Sequence, residues 1–184
     1  MSNLSAKPGN IFPDIQVSTR DGEELSLIPR VKPDMSDSEN TWYVVVVYRG
    51  KHCPICAKYL NQLAQKQKDF ADINTKIVAV SSDSVEQLNA FYESDIADVE
   101  FPVYADLKLD VAKNLGLYLS APMSDSETDH VFTEPALFVI NHKREIQIVE
   151  IANAPFVRPN IDILLGGIKF TRENDYPIRG THTE

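Results

Sequence analysis

The chain has 184 residues, 43% of them hydrophobic and 24% charged, so it is long enough to bury a core without disulfide staples and too apolar to be wholly disordered. Its 27 acidic residues against 18 basic ones leave a net charge of −9, with only short basic clusters (Arg49 with Lys51, Lys66 with Lys68, Lys143–Arg144), which argues against nucleic-acid binding. No apolar run is long enough to span a bilayer, and Met1–Leu4 lacks the charged start and apolar stretch of a secretory signal, so the expected setting is cytoplasmic, without a membrane partner.

Residues 1–10 read as a tail. Asp14–Thr19 and Glu23–Ile28 alternate apolar and polar around Asp21-Gly22, which predicts a β-hairpin. Residues 31–40 are polar and read as a loop. Trp42–Tyr48 is a continuous β-branched and aromatic run, the pattern of a central, doubly buried strand. Arg49–His52 breaks it, and Pro54 suits the first position of a helix. That helix would bury Ile55, Tyr59, Leu60 and Leu63 on one face and turn Lys58, Gln62, Lys66 and Asp69 outward.

Lys76–Val80 predicts a second buried strand. Ser84 with Gln87 forms a capping-box pattern that opens a helix running to Ser94. Phe101–Ala105 reads as a short extended piece and Leu107–Leu115 as a helix stopped by Gly116. Residues 120–130 form a second polar loop. Ala136–Ile140 and Glu145–Glu150 flank a turn and predict an antiparallel pair. Asn160–Arg172 closes the fold as a helix, and residues 173–184 read as a second tail. The order predicts one domain over 1–184, an α/β/α three-layer sandwich preceded by a β-hairpin.

Both cysteines of the chain, Cys53 and Cys56, lie in one Cys-Pro-Ile-Cys motif between a buried strand and a helix. Unpaired first-turn N–H groups and the positive end of the helix dipole favour a thiolate there, and the thiolate is the nucleophile. Spacing of three puts both sulfurs on one face, where a disulfide can close. Cys53, at the helix mouth, is expected to be exposed and to attack; Cys56, inside the turn, would resolve. Arg49, Lys51 and His52 are candidate sources of positive charge. The histidines His130, His142 and His182 form no cluster with metal spacing, so neither a metal nor another cofactor is expected.

Over residues 8–172 the chain resembles the peroxiredoxin-like (AhpC/TSA) branch of the thioredoxin superfamily, in a variant carrying a CxxC motif. The resemblance is carried by Ile11–Val17 with Asp21-Gly22 and Leu25–Leu27, by Val78–Ser84, by Phe101–Asp106, and by Ala136–Asn141. It implies a thioredoxin-like fold. Aligned with Cys56 at the peroxidatic position, the chain holds Cys53 where the family has Thr, Arg49 where it has Pro, and Pro135 where it has Arg. Aligned instead on thioredoxin, Cys53 and Cys56 match that protein's two cysteines. Pro135 then matches its cis-proline, which implies a cis Glu134–Pro135 bond and a contact to the substrate backbone. In this second alignment His52 stands where thioredoxin has Trp, and Val47 where it has a buried acid, leaving His52 as a candidate proton route to Cys56.

The expected function is thiol–disulfide exchange with a protein disulfide substrate, Cys53 attacking and Cys56 resolving. The alternatives are a thiol peroxidase with Cys56 peroxidatic and Cys53 resolving, and a non-enzymatic redox sensor or partner-binding module. The resemblance also implies a thiol reductant, such as a thioredoxin or glutathione system, and a homodimer.

Overall fold

A computed structural model describes residues 6–29 and 40–182. The elements run β1 (Gln16–Ser18), β2 (Glu24–Ser26), β3 (Trp42–Val47), α1 (Pro54–Gln65), α2 (Gln67–Asp72), β4 (Thr75–Val80), α3 (Val85–Ser94), β5 (Val103–Tyr104), α4 (Leu109–Asn114), β6 (Leu119–Ser120), β7 (Phe132–Thr133), β8 (Ala136–Ile140), β9 (Ile146–Ile151) and α5 (Ile161–Glu173). Five strands form the central sheet in the order β5-β4-β3-β8-β9. β3 runs parallel to β4 and antiparallel to β8, with Val47 opposite both Val80 and Ala136.

The β-branched run of β3 works because both faces of the sheet are covered. Val44 and Val46 face a core built from Leu60 and Leu63 of α1, Leu88 and Phe91 of α3, and Leu164 and Ile168 of α5. Val45 and Val47 face the opposite core, made by Phe12, the hairpin residues Ile15, Val17 and Leu27, and Ala112 and Leu115 around α4. The fold is the thioredoxin-like α/β/α sandwich that the patterning implies, with the hairpin sharing a layer with α4.

Local signals place most boundaries. Ser84 and Gln87 form the reciprocal capping box that opens α3, and Asn160 caps α5 by accepting from the Ile163 N–H. Gly116 ends the α4 region with φ +79°. α4 is shorter than its periodicity suggests, beginning at Leu109, because Asp106 at φ +62° and Leu107 first bond back to Asp83 and Ser81. The short ladder β6–β7 and the helix α2 have no clear periodic signal and are visible only in the structure. Ile55 departs from the expected buried face and is 36% exposed; Cys56 and Ala57 fill that face instead.

The segments read as tails are tied down where they are described. Gly9 donates to Ile146 O, Ile11 bridges Glu145, and the Tyr176 ring packs at a tilt against Phe170 of α5. Of the polar loop 31–40, all but Asn40 lies outside the described residues. No helix among the described residues is long and apolar enough to cross a membrane.

Candidate active site

The site begins where β3 ends. Tyr48 is still fully buried, donating its backbone N–H to Val80 O and stacking on Phe91 at 5.6 Å. The chain then turns at Gly50, whose φ of +142° suits only glycine, and an ideal Cβ there would fall 2.5 Å from Asp83 Oδ1. The turn is pinned by the fully buried Asp83, whose Oδ2 accepts the Lys51 N–H at 2.7 Å. His130 Nε2 lies 3.3 Å from the other carboxylate oxygen. Burial raises the Asp83 pKa, opposed by the Lys51 N–H bond and the neighbouring charges of His130 and Lys51.

Cys53 caps α1 in an extended conformation, its sulfur accepting the Cys56 N–H at 3.3 Å, and Pro54 takes the first helical position without wasting a donor. The two free thiols face each other with their sulfurs 2.6 Å apart. Closing a disulfide from there needs a shift of roughly half an ångström. Contrary to the expectation of an exposed attacking sulfur, Cys53 is only 2% exposed and Cys56 is fully buried. The strand before the motif and the helix after it sink both residues into the core that α1 shares with β3.

Electrostatics make the thiols unequal. The Cys53 thiol is pulled down to about 6, first by the Cys56 S–H donated to its sulfur, against desolvation, then by the Cys56 N–H and the Arg49 guanidinium. Burial pushes the Cys56 thiol up, reinforced by its role as donor to Cys53, while Arg158 opposes the shift. Arg158 donates from Nη2 to Cys56 Sγ at 2.9 Å. Its Nε is held by Pro155 O at 3.1 Å and its plane lies over Tyr59 at 5.4 Å. Arg158 has no carboxylate partner among the described residues.

The sequence-derived candidates divide accordingly. Cys53, Cys56 and Arg49 come together. Arg49 sits with its Nε 3.1 Å from Glu134 Oε2 and its guanidinium 4.7 Å above the Phe132 ring, close enough to the Cys53 sulfur to favour its thiolate. His52 instead packs on Phe132 at 4.5 Å, and burial and Arg49 hold its pKa below the ordinary value. Its ring nitrogens are buried without a hydrogen-bond partner, so no relay from His52 to Cys56 is visible. Lys51 points to solvent and serves through its backbone. The expected cis bond before Pro135 is absent, every described peptide bond being trans. Pro135 is buried, accepts the Ala152 N–H through its carbonyl, and lines a small cavity with Val46, Tyr59, Leu137 and Arg158.

Arg158, Glu127, Phe132 and Asp83 were not among the residues expected at the site, nor was the pairing of Glu134 with Arg49. Only Asp83, in the Ser81–Ser84 turn after a buried strand, sat in a segment already marked by resemblance. No cluster with metal-binding composition occurs among the described residues.

Two thiols at the mouth of a helix, at the carboxyl end of a central strand of a thioredoxin-like fold, are close enough to form and break a disulfide. The chain belongs to the AhpC/TSA family, whose model matches residues 8–149. It is 27% identical over 165 residues to peroxiredoxin 2 of Sulfurisphaera tokodaii, covering 88% of this chain and 70% of that protein. It is 28% identical over 145 residues to peroxiredoxin 1 of Picrophilus torridus, covering 77% of this chain but only 57% of that relative's length. Among solved structures, a Cys-to-Ser variant of peroxiredoxin 6 of Arenicola marina superposes with a TM-score of 0.72 at 20% identity, covering 90% of this chain and 73% of that one. A peroxiredoxin-like protein from Aquifex aeolicus gives 0.69 at 17% identity, with 90% and 88% covered. Arg158 lies beyond the residues that the family model matches.

Proposed function

We propose that the protein is a thiol-dependent peroxidase in which Cys56 reduces a hydroperoxide and Cys53 resolves the product. The observation that carries this reading is the Arg158 guanidinium, 2.9 Å from Cys56 Sγ and without a carboxylate of its own among the described residues. An unneutralised cation there stabilises charge on that sulfur as it reacts. The pair shares a single negative charge near neutrality. Passing the Cys56 proton to Cys53 across the 2.6 Å contact places that charge beside Arg158. The Cys56 thiolate attacks one peroxide oxygen, the O–O bond breaks, and the sulfur is oxidised to a sulfenic acid while the leaving alkoxide or hydroxide takes the proton that Cys53 holds, returning Cys53 to its thiolate. The Cys53 thiolate then forms the S–S bond and expels the sulfenic oxygen as water after protonation. A thiol reductant of the thioredoxin or glutathione type restores the dithiol. Burial supports the same reading: a small hydroperoxide needs far less access than a protein disulfide to sulfurs 2% and 0% exposed. The cytoplasmic setting and the homodimer belong to this proposal as expectations.

The depressed Cys53 pKa favours a second reading, thiol–disulfide exchange led by Cys53. Rapid-quench mass spectrometry of the reduced protein mixed with peroxide separates the two. Peroxidase function predicts oxidation orders of magnitude faster than a free cysteine peptide, with sulfenic acid trapped on Cys56 in Cys53→Ser. Oxidation at the peptide's pace leaves thiol–disulfide exchange or redox sensing as the function, and a sulfenic acid formed on Cys53 reverses the roles.

A further inference from the structure

The two arginines of the site are held differently. Arg158 has no carboxylate partner among the described residues, whereas Arg49 is clamped by two: Nε lies 3.1 Å from Glu134 Oε2, and Nη2 donates to Glu127 Oε1 at 3.5 Å. Both carboxylates are themselves fixed at their other oxygen. Glu134 Oε1 accepts from Ser120 Oγ of β6 at 2.6 Å, and Glu127 Oε2 accepts the Met123 N–H at 2.7 Å. The arrangement follows from topology, because the β3–β8 register that pairs Val47 with Ala136 carries Arg49 opposite Glu134. Phe132 lies against the guanidinium, and the Arg49 side chain is 14% exposed. Two carboxylates offset the positive charge of Arg49, so it is poorly suited to attract an anion from solution. What the clamp preserves is direction: a planar donor, oriented by groups that are anchored in turn, whose influence reaches the Cys53 sulfur.

We propose that Arg49 is a positioning residue for the resolving step, holding the Cys53 sulfur in line with Cys56 through a guanidinium that Glu134 and Glu127 lock in place. The inference rests on the peroxidase reading. In that step the Cys53 thiolate attacks the Cys56 sulfenic sulfur, the S–S bond forms, the S–O bond breaks, and the oxygen leaves as water after protonation. The lowered pKa of Cys53 agrees with this role, Arg49 being among its causes.

The test is carried out on the full chain with Arg49→Met, Arg49→Lys and Glu127→Gln. Rapid quench with a sulfenic-acid trap and intact mass gives the rate of disulfide closure relative to sulfenic-acid formation. Arg49→Met is expected to lower that ratio at least about tenfold and let sulfenic acid accumulate, with partial recovery in Arg49→Lys and a smaller loss in Glu127→Gln. A ratio within about twofold of wild type in a folded variant overturns the proposal. Iodoacetamide alkylation of Cys53 against pH, in the Cys56→Ser background, provides a readout that needs no peroxide. Arg49→Met should move its midpoint upward, and an unmoved midpoint overturns the positioning role. Slow wild-type oxidation combined with a moved midpoint defeats the peroxidase reading and leaves the Arg49–Cys53 contact standing.

Discussion

Cys53 and Cys56 are three residues apart, one at the N-cap and one in the first turn of α1, yet the fold shifts their acid strengths in opposite directions. Cys53 accepts the Cys56 S–H, the Cys56 N–H and the influence of Arg49, which bring it to about 6. Cys56 is the donor in that pair and the more deeply buried, so its thiol is pushed up. The linkage signs follow. A thiol whose folded pKa is depressed adds stability that is complete above its unfolded value, about 8.5, and disappears as pH falls through its folded value. The raised Cys56 thiol works the other way, costing stability once the unfolded thiol begins to ionise. The reduced protein, compared with the Cys53→Ser/Cys56→Ser double variant, should gain stability from pH about 6 to about 8.5 and lose the advantage above that. Urea midpoints across that range would check the shape, and a flat difference would show that the thiols titrate as they do in the unfolded chain.

At the scale of elements, the strand-to-helix junction between β3 and α1 depends on Gly50 and Asp83. β4 delivers Asp83 to the far side of the turn, where its carboxylate takes the Lys51 N–H at 2.7 Å and leaves no room for a Cβ at Gly50. Gly50→Ala should therefore destabilise the fold by about 2–3 kcal/mol, through a forced positive φ and a clash with Asp83. The same shift should displace Cys53 and raise its alkylation midpoint. Chemical denaturation together with alkylation against pH measures both; a stability loss with an unmoved midpoint would show that the turn does not set the thiol. The connection between β6 and β7 is tied to the same junction from its own side, through Glu127 on Arg49 and His130 on Asp83.

For the whole molecule, β3 is the axis: it supplies one valine face to each of two cores, and its end carries the site. The core on the α1 side reaches the thiols directly, since Cys53 and Cys56 are members of it alongside Leu60, Phe91 and Tyr48. Phe91 is fully buried under Tyr48. Phe91→Ala should cost about 3–5 kcal/mol of global stability by denaturant unfolding, and a loss below about 1 kcal/mol would mean the core collapses to fill the space. The family model and the solved structures agree with this architecture on residues spread across the chain, from the N-terminal hairpin to β9.

Much of this was legible in the linear chain because it is local. Alternation marked the β1–β2 hairpin, apolar runs marked β3, β4 and β8, and α1, α3, α4, α5 and β9 were each expected, with the capping box at Ser84 a four-residue signal that the structure reproduces. The Cys-Pro-Ile-Cys motif, caught between a buried strand and a helix, marked a pair of thiols that the structure brings into contact. The surroundings of that pair are not local. Arg158 lies 102 residues from Cys56, and Glu127 is 78 from Arg49. Which charge reaches which sulfur depends on strand register and on where a loop returns, and no short-range periodicity encodes either. The expected exposure of Cys53 and the expected His52 route failed for the same reason: burial is decided by what packs on a residue, here Phe132 on His52 and the shared core on Cys53. The sequence by itself determined a thiol pair on an α/β sandwich; only the tertiary structure decided that Arg158 faces one sulfur and a carboxylate-clamped Arg49 the other, because long-range pairing brings those charges together.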